Sequence, residues 1–266
     1  MNAPDSVKVE PFVLRADADG IATLTMNRGE RLNPLSSEMV SALQEALDRI
    51  ATDDSIRVVV LAGAGKHFSA GHDLREMRAH PEQRWQSALF EQCNRVVLAL
   101  VDLPQPVIAR VQGVAVAAGC QLVSMCDLAV ASEAAQFALP GIKSGLFCTT
   151  PGVGVARNVS RKHAMEMLLT GDLIDARTAE RWGLVNRVVP AERLDEEVAA
   201  FARKITAHSS AVVRLGKRLF YDQVEKRLPE ACAVAAEAMA CNMMMEDAAE
   251  GIDAFLAKRP AQWRER

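Results

Sequence analysis

The first half of the chain alternates between short apolar runs and segments of helical periodicity. Residues 12–15 and 21–26 are strand-like stretches on either side of the turn sequence Asp17-Ala18-Asp19-Gly20, which predicts a β-hairpin. From Ser36 onward apolar residues recur at helical spacing, so a helix is predicted to begin there. Residues 56–62 form a valine-rich apolar run, which is typical of a strand covered on both faces of a parallel sheet.

The alternation continues to about residue 150 and then gives way to helices. Residues 107–111 and 128–131 are further strand-like runs, a long helix is predicted over residues 82–101, and a short strand over residues 185–189. The remaining predicted helices cover residues 161–170, 175–182, 192–207, 209–226, 229–242 and 246–257. The pattern predicts an α/β fold, which we divide into an α/β core over residues 1–200 and a helical C-terminal region over residues 201–266.

Composition and charge narrow the class of protein. The 266 residues are 50% hydrophobic and 24% charged, the balance of a soluble globular protein. A formal charge of −3 gives no electrostatic reason to expect nucleic acid or an anionic membrane as a partner. No apolar stretch approaches the roughly 18 residues of a membrane span. Residues 1–12 carry Asp5 and Glu10 and resemble neither a secretory signal nor a transit peptide, so we expect a cytoplasmic location.

Several chemical motifs fail at a decisive position. Gly63-Ala64-Gly65 follows a predicted strand, but a dinucleotide fingerprint needs a glycine where Phe68 stands, and a phosphate loop needs serine or threonine where His67 stands. Ser144 lies one position late for a nucleophile elbow. The six cysteines form no C-x-x-C pair, and His67 and His72 have no carboxylate at helical spacing, so we expect reduced thiols and no bound metal.

Two turns rich in small residues remain, over residues 68–74 and 113–121. Each follows a predicted buried strand and precedes a helix. Two such turns can present two backbone N–H groups to one point, which is what an oxyanion hole requires. Small residues at these positions would equally allow a helix and a strand to pack closely, and the spacing alone leaves both interpretations open.

Motifs spread over nearly the whole chain resemble those of one family. They are Leu24-Thr25-Met26-Asn27-Arg28 with Asn33, residues 68–74, 113–127 and 140–145, Thr170-Gly171 with Ala179, Gly183-Leu184-Val185, and Glu250-Gly251 with Phe255 and Lys258-Arg259-Pro260. The sequence resembles the crotonase, or enoyl-CoA hydratase/isomerase, superfamily, and within it the branch of enoyl-CoA hydratase domain-containing proteins. The resemblance implies a ClpP-like spiral of ββα units, a helical C-terminal trimerisation region, and a homotrimer or hexamer.

The same resemblance implies a lyase-type enzyme of fatty acyl-CoA metabolism, with a coenzyme A thioester as substrate or ligand and no other cofactor. The thioester carbonyl would be held by the backbone N–H groups of His72 and Ala118. The positions that would contact coenzyme A or line the acyl pocket are Ala70, Asp73, Leu74, Arg75, Cys148, Thr149, Phe255 and Lys258. Phe255 and Lys258 match positions that often reach coenzyme A from an adjacent subunit.

This chain departs from the family pattern in its acid and base groups. Hydration of a conjugated double bond needs a base for water and an acid for the α carbon, and the positions of the two hydratase glutamates hold Gln121 and Gly141. Thr149 stands at a third position that holds aspartate in some relatives. We expect Asp73 to cap the following helix, Glu76 to be solvated and Asp127 to be a buried structural carboxylate.

Three functions therefore stay open at this point. The first is an acyl-CoA enzyme that stabilises a thioester enolate, with classical hydratase activity in doubt. The second is decarboxylation of a malonyl-type acyl-CoA, because loss of CO₂ itself generates the enolate. The third is acyl-CoA binding without catalysis.

Overall fold

The computed structural model describes residues 10–266, which contain nine strands and eleven α-helices. The larger sheet consists of β1 (Val13–Ala18), β2 (Ile21–Met26), β3 (Val58–Gly63), β4 (Val107–Val111), β6 (Leu128–Ser132) and β9 (Arg187–Val189). These strands lie in that order, and all neighbours are parallel except the β1–β2 hairpin. A smaller sheet contains β5 (Val114–Val116), β7 (Gln136–Ala138) and β8 (Ile174–Asp175).

The helices are α1 (Ser37–Ala51), α2 (Leu74–Ala79), α3 (Gln83–Asp102), α4 (Ala118–Met125), α5 (Thr149–Asn158), α6 (Arg161–Thr170), α7 (Ala176–Trp182), α8 (Leu194–Thr206), α9 (Ser210–Val224), α10 (Leu228–Asn242) and α11 (Glu246–Leu256). The prediction that α1 begins at Ser36 is confirmed, because the Ser36 hydroxyl caps the helix by accepting the Met39 N–H. In the described part of the chain no helix is long and apolar enough to cross a membrane.

The hairpin turn is shorter than predicted. Asp17 and Ala18 pair with Ala22 and Ile21, so they belong to β1 and not to the turn. Asp19 and Gly20, with φ angles of 52° and 75°, alone form the connection. Positive φ at both central residues is the geometry that matches the twist of two antiparallel strands.

The main sheet is covered on both faces, as the valine-rich run of β3 predicts. One face packs against α1, α3 and α4 in the larger hydrophobic core. The other face packs against α8, whose Leu194, Val198 and Ala202 contact Val58, Val60, Ile108 and Val130. Residue 200 lies within α8, so a boundary there would divide a helix that covers the core sheet. The division into two regions stays a prediction.

A buried ion pair fastens α9 to the core. The Lys217 Nζ lies 2.7 Å from an Asp127 carboxylate oxygen and also donates to the carbonyls of Leu100 and Gln105. Asp127 in turn accepts the Val107 N–H at 2.7 Å and the Tyr221 hydroxyl at 2.9 Å. The predicted structural role of Asp127 is therefore confirmed, but the carboxylate is only partly buried, with its side chain 15% exposed.

Candidate active site

The first turn follows β3 and is held by a buried asparagine. The Asn33 side chain is fully buried, and its amide donates to the carbonyls of Ala64, His67 and Phe68 at 2.9, 2.9 and 3.1 Å. Its carbonyl oxygen accepts the Arg28 N–H at 2.9 Å. Asn33 thus fixes the path of the chain into the turn, a role that no spacing in the sequence indicates.

Ser69 and Gly71 complete this turn. The Ser69 hydroxyl donates to the Asn33 carbonyl at 2.8 Å and accepts the Gly71 N–H at 3.2 Å. Gly71 has a φ of 84° and its carbonyl accepts the Leu35 N–H at 2.8 Å, which places His72 beside Leu35. A left-handed φ favours glycine, so the backbone reverses here immediately before His72.

The second turn connects β5 to α4. Ala117 has φ 50° and ψ −122°, a strained conformation for alanine, and its N–H donates to the Ala138 carbonyl at 2.9 Å. Ala118 is the first residue of α4, so the helix begins within residues 113–121, which the sequence predicts as a turn. The small residues at the start of α4 show no helical spacing of apolar side chains, and these same residues lie against the first turn.

The two turns are in direct contact. A Cβ at position 71 would lie 2.9 Å from the Ala117 Cβ and 3.1 Å from the Ala118 nitrogen. A Cβ at position 119 would lie 2.5 Å from the Ser69 carbonyl oxygen. Within residues 10–266, the N–H groups of His72 and Ala118 donate to no protein atom. Adjoining turns that carry unpartnered amides can stabilise negative charge developing on a carbonyl oxygen.

The His72 side chain lies against α3. Its Nδ1 is 3.3 Å from the Leu35 carbonyl oxygen, and its ring meets the Phe90 ring edge-on at 5.4 Å. A carbonyl only accepts hydrogen bonds, so this contact assigns the proton of the neutral ring to Nδ1. Burial lowers the pKa of His72 below its usual value of 6.5, although nearby Glu76 opposes the shift. The imidazole is therefore neutral near pH 7.

The positions of the missing glutamates carry no charge, and only Gln121 is buried. Gln121 is only 3% exposed, and its Oε1 accepts no hydrogen bond from the described residues. Gly141 lies in a 3₁₀ helix, and its N–H points to the Cys148 Sγ at 3.2 Å. Burial raises the pKa of the Cys148 thiol. Thr149 is exposed as the first residue of α5.

Nearby carboxylates are occupied by structural contacts. Asp73 caps α2 by accepting the N–H groups of Arg75 and Glu76 at 2.9 and 3.2 Å, as expected. The expectation that Glu76 is solvated is wrong, because its carboxylate accepts the N–H and hydroxyl of Ser37 at the start of α1. In the described range, 10–266, no three His, Cys, Asp or Glu side chains are arranged to hold a metal ion.

The other candidate contact residues divide into two groups. Ala70, whose N–H donates to the Leu32 carbonyl, lies in the first turn, and Leu74 and Arg75 are exposed in the first turn of α2. Phe255, 82% exposed, and Lys258 lie at the end of α11. In the described part of this chain neither makes a hydrogen bond or ion pair with the two turns. The structure thus places the first group in or next to the first turn, whereas the described part of the chain shows no polar contact between the second group and either turn.

Comparison with known proteins decides the family. Residues 16–266 match the enoyl-CoA hydratase/isomerase family. The chain belongs to the enoyl-CoA hydratase/isomerase family. It is 43% identical to human enoyl-CoA hydratase domain-containing protein 3, over 92% of this chain and 81% of the human protein. The predicted crotonase family and its domain-containing protein branch are thereby confirmed.

Solved structures of family members confirm the predicted crotonase fold. The structure of the Mycobacterium smegmatis enoyl-CoA hydratase has a TM-score of 0.94 and 53% identity, covering 96% of this chain and 99% of that one. The human enoyl-CoA hydratase domain-containing protein 3 has a TM-score of 0.92 and 42% identity, covering 96% and 100%.

The predicted cytoplasmic location is wrong by the same comparison. The human protein and its counterparts from rat, mouse, frog and zebrafish are named as mitochondrial. The argument from Asp5 and Glu10 fails because the composition of residues 1–12 does not determine where a protein of this family works.

Proposed function

We propose that this protein binds the thioester of an acyl-CoA and stabilises its enolate with the backbone N–H groups of His72 and Ala118. The observation that carries the proposal is the contact of the two turns, with both amides unpartnered among residues 10–266. Donors held in place before the reaction cost no reorganisation when charge develops on the thioester oxygen. Family membership over residues 16–266 supports the coenzyme A thioester as the ligand.

The residues around the turns favour a reaction that needs no strong base. Gln121 cannot accept a proton from water near neutral pH, and Gly141 has no side chain. Each missing acid or base group typically costs about 10² to 10⁴ in rate, so we expect weak hydratase activity. In a malonyl-type acyl-CoA the C–C bond that breaks leaves its electron pair on the α carbon as CO₂ departs. The oxyanion hole then holds the enolate until the α carbon is protonated.

We also propose that the protein is a homotrimer or hexamer. Large apolar side chains are exposed in the helical C-terminal region of the single chain, among them Phe220, Leu228, Met244, Phe255 and Leu256. Among residues 10–266, Phe255 and Lys258 make no hydrogen bond or ion pair with the turns of their own chain, which supports a contribution from an adjacent copy to the coenzyme A site. Sedimentation analysis checks the oligomeric state, and a monomer at micromolar concentration would contradict it.

Calorimetry and product analysis test the function. We expect a saturated acyl-CoA to bind, methylmalonyl-CoA to lose CO₂, and crotonyl-CoA to be hydrated slowly. Binding with no turnover of crotonyl-CoA, dienoyl-CoA or methylmalonyl-CoA would favour a non-catalytic acyl-CoA-binding protein. Absence of binding at millimolar acyl-CoA would refute the proposal in every form.

A further inference from the structure

The loop between Gly141 and Cys148 is closed by its own hydrogen bonds. The Leu146 N–H donates to the Gly141 carbonyl at 2.9 Å, and the Gly145 N–H donates to the Ile142 carbonyl at 3.2 Å. The Gly141 N–H donates to the Cys148 Sγ at 3.2 Å. Both ends of the loop are therefore joined at one point, where backbone amide and thiol meet.

The thiol occupies the space next to Gly141. A Cβ at position 141 would lie 2.7 Å from the Cys148 Sγ, 3.1 Å from the Leu146 carbonyl oxygen and 3.4 Å from the Cys148 nitrogen. The backbone of Gly141 has no positive φ, so its conformation would admit any residue. The sulfur atom is thus the nearest obstacle to a side chain at this position.

We propose that Cys148 is a specificity-determining residue, because its thiol fills the space into which a side chain at position 141 would extend and so denies the site a second proton-transfer group. The inference rests on the proposed function, which assigns position 141 to the acyl-CoA site. Gln121, in α4, is nine-tenths or more buried and has an unpartnered Oε1 among residues 10–266. Both positions lack a carboxylate, so restoring an acid and base pair requires replacement of Gln121 and of Gly141 together.

The thiol also makes this wall uncharged. Burial raises the pKa of Cys148, and burial with proximity to Cys148 raises the pKa of Cys120 to about 12. Both sulfur atoms are protonated at neutral pH. A neutral wall suits a reaction in which the substrate supplies the enolate electrons, and it does not favour activation of a water molecule.

A double-mutant cycle tests the steric part. We expect Gly141→Ala to lower the unfolding midpoint by about 5 °C, the effect of overpacking a site of this kind. In a Cys148→Ala background most of that loss should disappear. If Gly141→Ala does not fold at all, recovery of a folded protein in the double variant would equally support a steric role for the Cys148 thiol. Gly154→Ala is the control, since its Cβ would meet Ser124 and not Cys148, and its effect should be equal in both backgrounds.

A gain of hydratase activity tests the specificity. We compare Gln121→Glu/Gly141→Glu with the same pair in the Cys148→Ala background, using crotonyl-CoA and measuring binding of butanoyl-CoA in parallel. The triple variant should hydrate at least about 10²-fold faster than the pair, the effect of placing one proton-transfer group correctly.

Three results would count against these assignments in different ways. Additive stability changes in the cycle overturn the steric role of Cys148. Equal hydration by variants that both bind butanoyl-CoA overturns its role in specificity. Failure of the unsubstituted protein to bind butanoyl-CoA refutes the proposed function. The stability cycle needs no ligand, so it tests the steric role of Cys148 independently of whether acyl-CoA binds.

Discussion

Replacing Gly71 with alanine tests the contact on which the proposed oxyanion hole depends. The new Cβ would lie 2.9 Å from the Ala117 Cβ and 3.0 Å from the Val116 carbonyl oxygen. Neither neighbour is the end of a flexible side chain, because the Ala117 Cβ is attached directly to the backbone of the second turn and the Val116 oxygen is part of that backbone. The two turns must move apart, and the amides of His72 and Ala118 must move with them.

The loss of stability expected for Gly71→Ala has two parts. A φ of 84° costs an alanine about 1–2 kcal/mol relative to glycine, and overpacking of a rigid contact adds about 1–3 kcal/mol. Gly145→Ala is the matched control, since its φ is 74° and a Cβ there meets no atom within 4 Å. We therefore expect both variants to lose the first part of the stability and only Gly71→Ala to lose the second.

Urea unfolding measures the stabilities of the two variants, and loss of CO₂ from methylmalonyl-CoA, the reaction expected under the proposed function, measures the effect on the site. Removal of one oxyanion donor costs about 10² to 10³ in kcat, so displacement of an amide should cost at least about 10-fold. Gly145→Ala should retain acyl-CoA binding. Equal losses of stability in the two variants would show that the turns do not touch, and full activity of Gly71→Ala would show that the hole does not depend on their contact.

Three further predictions concern other parts of the chain. His72→Ala keeps the backbone N–H and should therefore still bind acyl-CoA. Because the pKa of His72 is lowered in the folded protein, the unfolded chain takes up a proton first, and the free energy of unfolding falls as the pH drops below about 6.5. Urea unfolding at several pH values should show a smaller fall in the variant. Lys217→Met should destabilise by about 3–5 kcal/mol in urea unfolding, because it leaves the Asp127 carboxylate without its cation, and adding Asp127→Asn should recover part of the loss. Gly216→Ala, in the exposed interior of α9 with no atom near the new Cβ, should stabilise by about 0.5–1 kcal/mol, and an unchanged melting temperature would contradict this.

Elements with a local cause are predicted well. α1 needs only its apolar spacing and the Ser36 cap, and β3 only its valine run, so both follow from adjacent residues. The strands β5, β7 and β8 are missed because they have only two or three residues, and the equally short β9 is found only as part of the longer stretch predicted over residues 185–189. Contacts between distant residues are missed because they depend on the fold and not on adjacent residues. Glu76 accepts a hydrogen bond from Ser37, which lies 39 positions earlier, and nothing in the spacing of charged residues indicates this contact.

The candidate site shows why the family alone does not determine the reaction. Its proposed donors are backbone amides, which are positioned by small residues and by Asn33, and these requirements are independent of any acid or base. The residues that would move protons belong to other segments, α4 and the loop after β7, where Gln121 and Cys148 are neutral. The backbone donors of the oxyanion hole can therefore be present while the acid and base side chains are absent. The proposed decarboxylation needs only the amide donors, because the substrate forms the enolate by losing CO₂, whereas hydration would need a proton acceptor that these two segments do not supply.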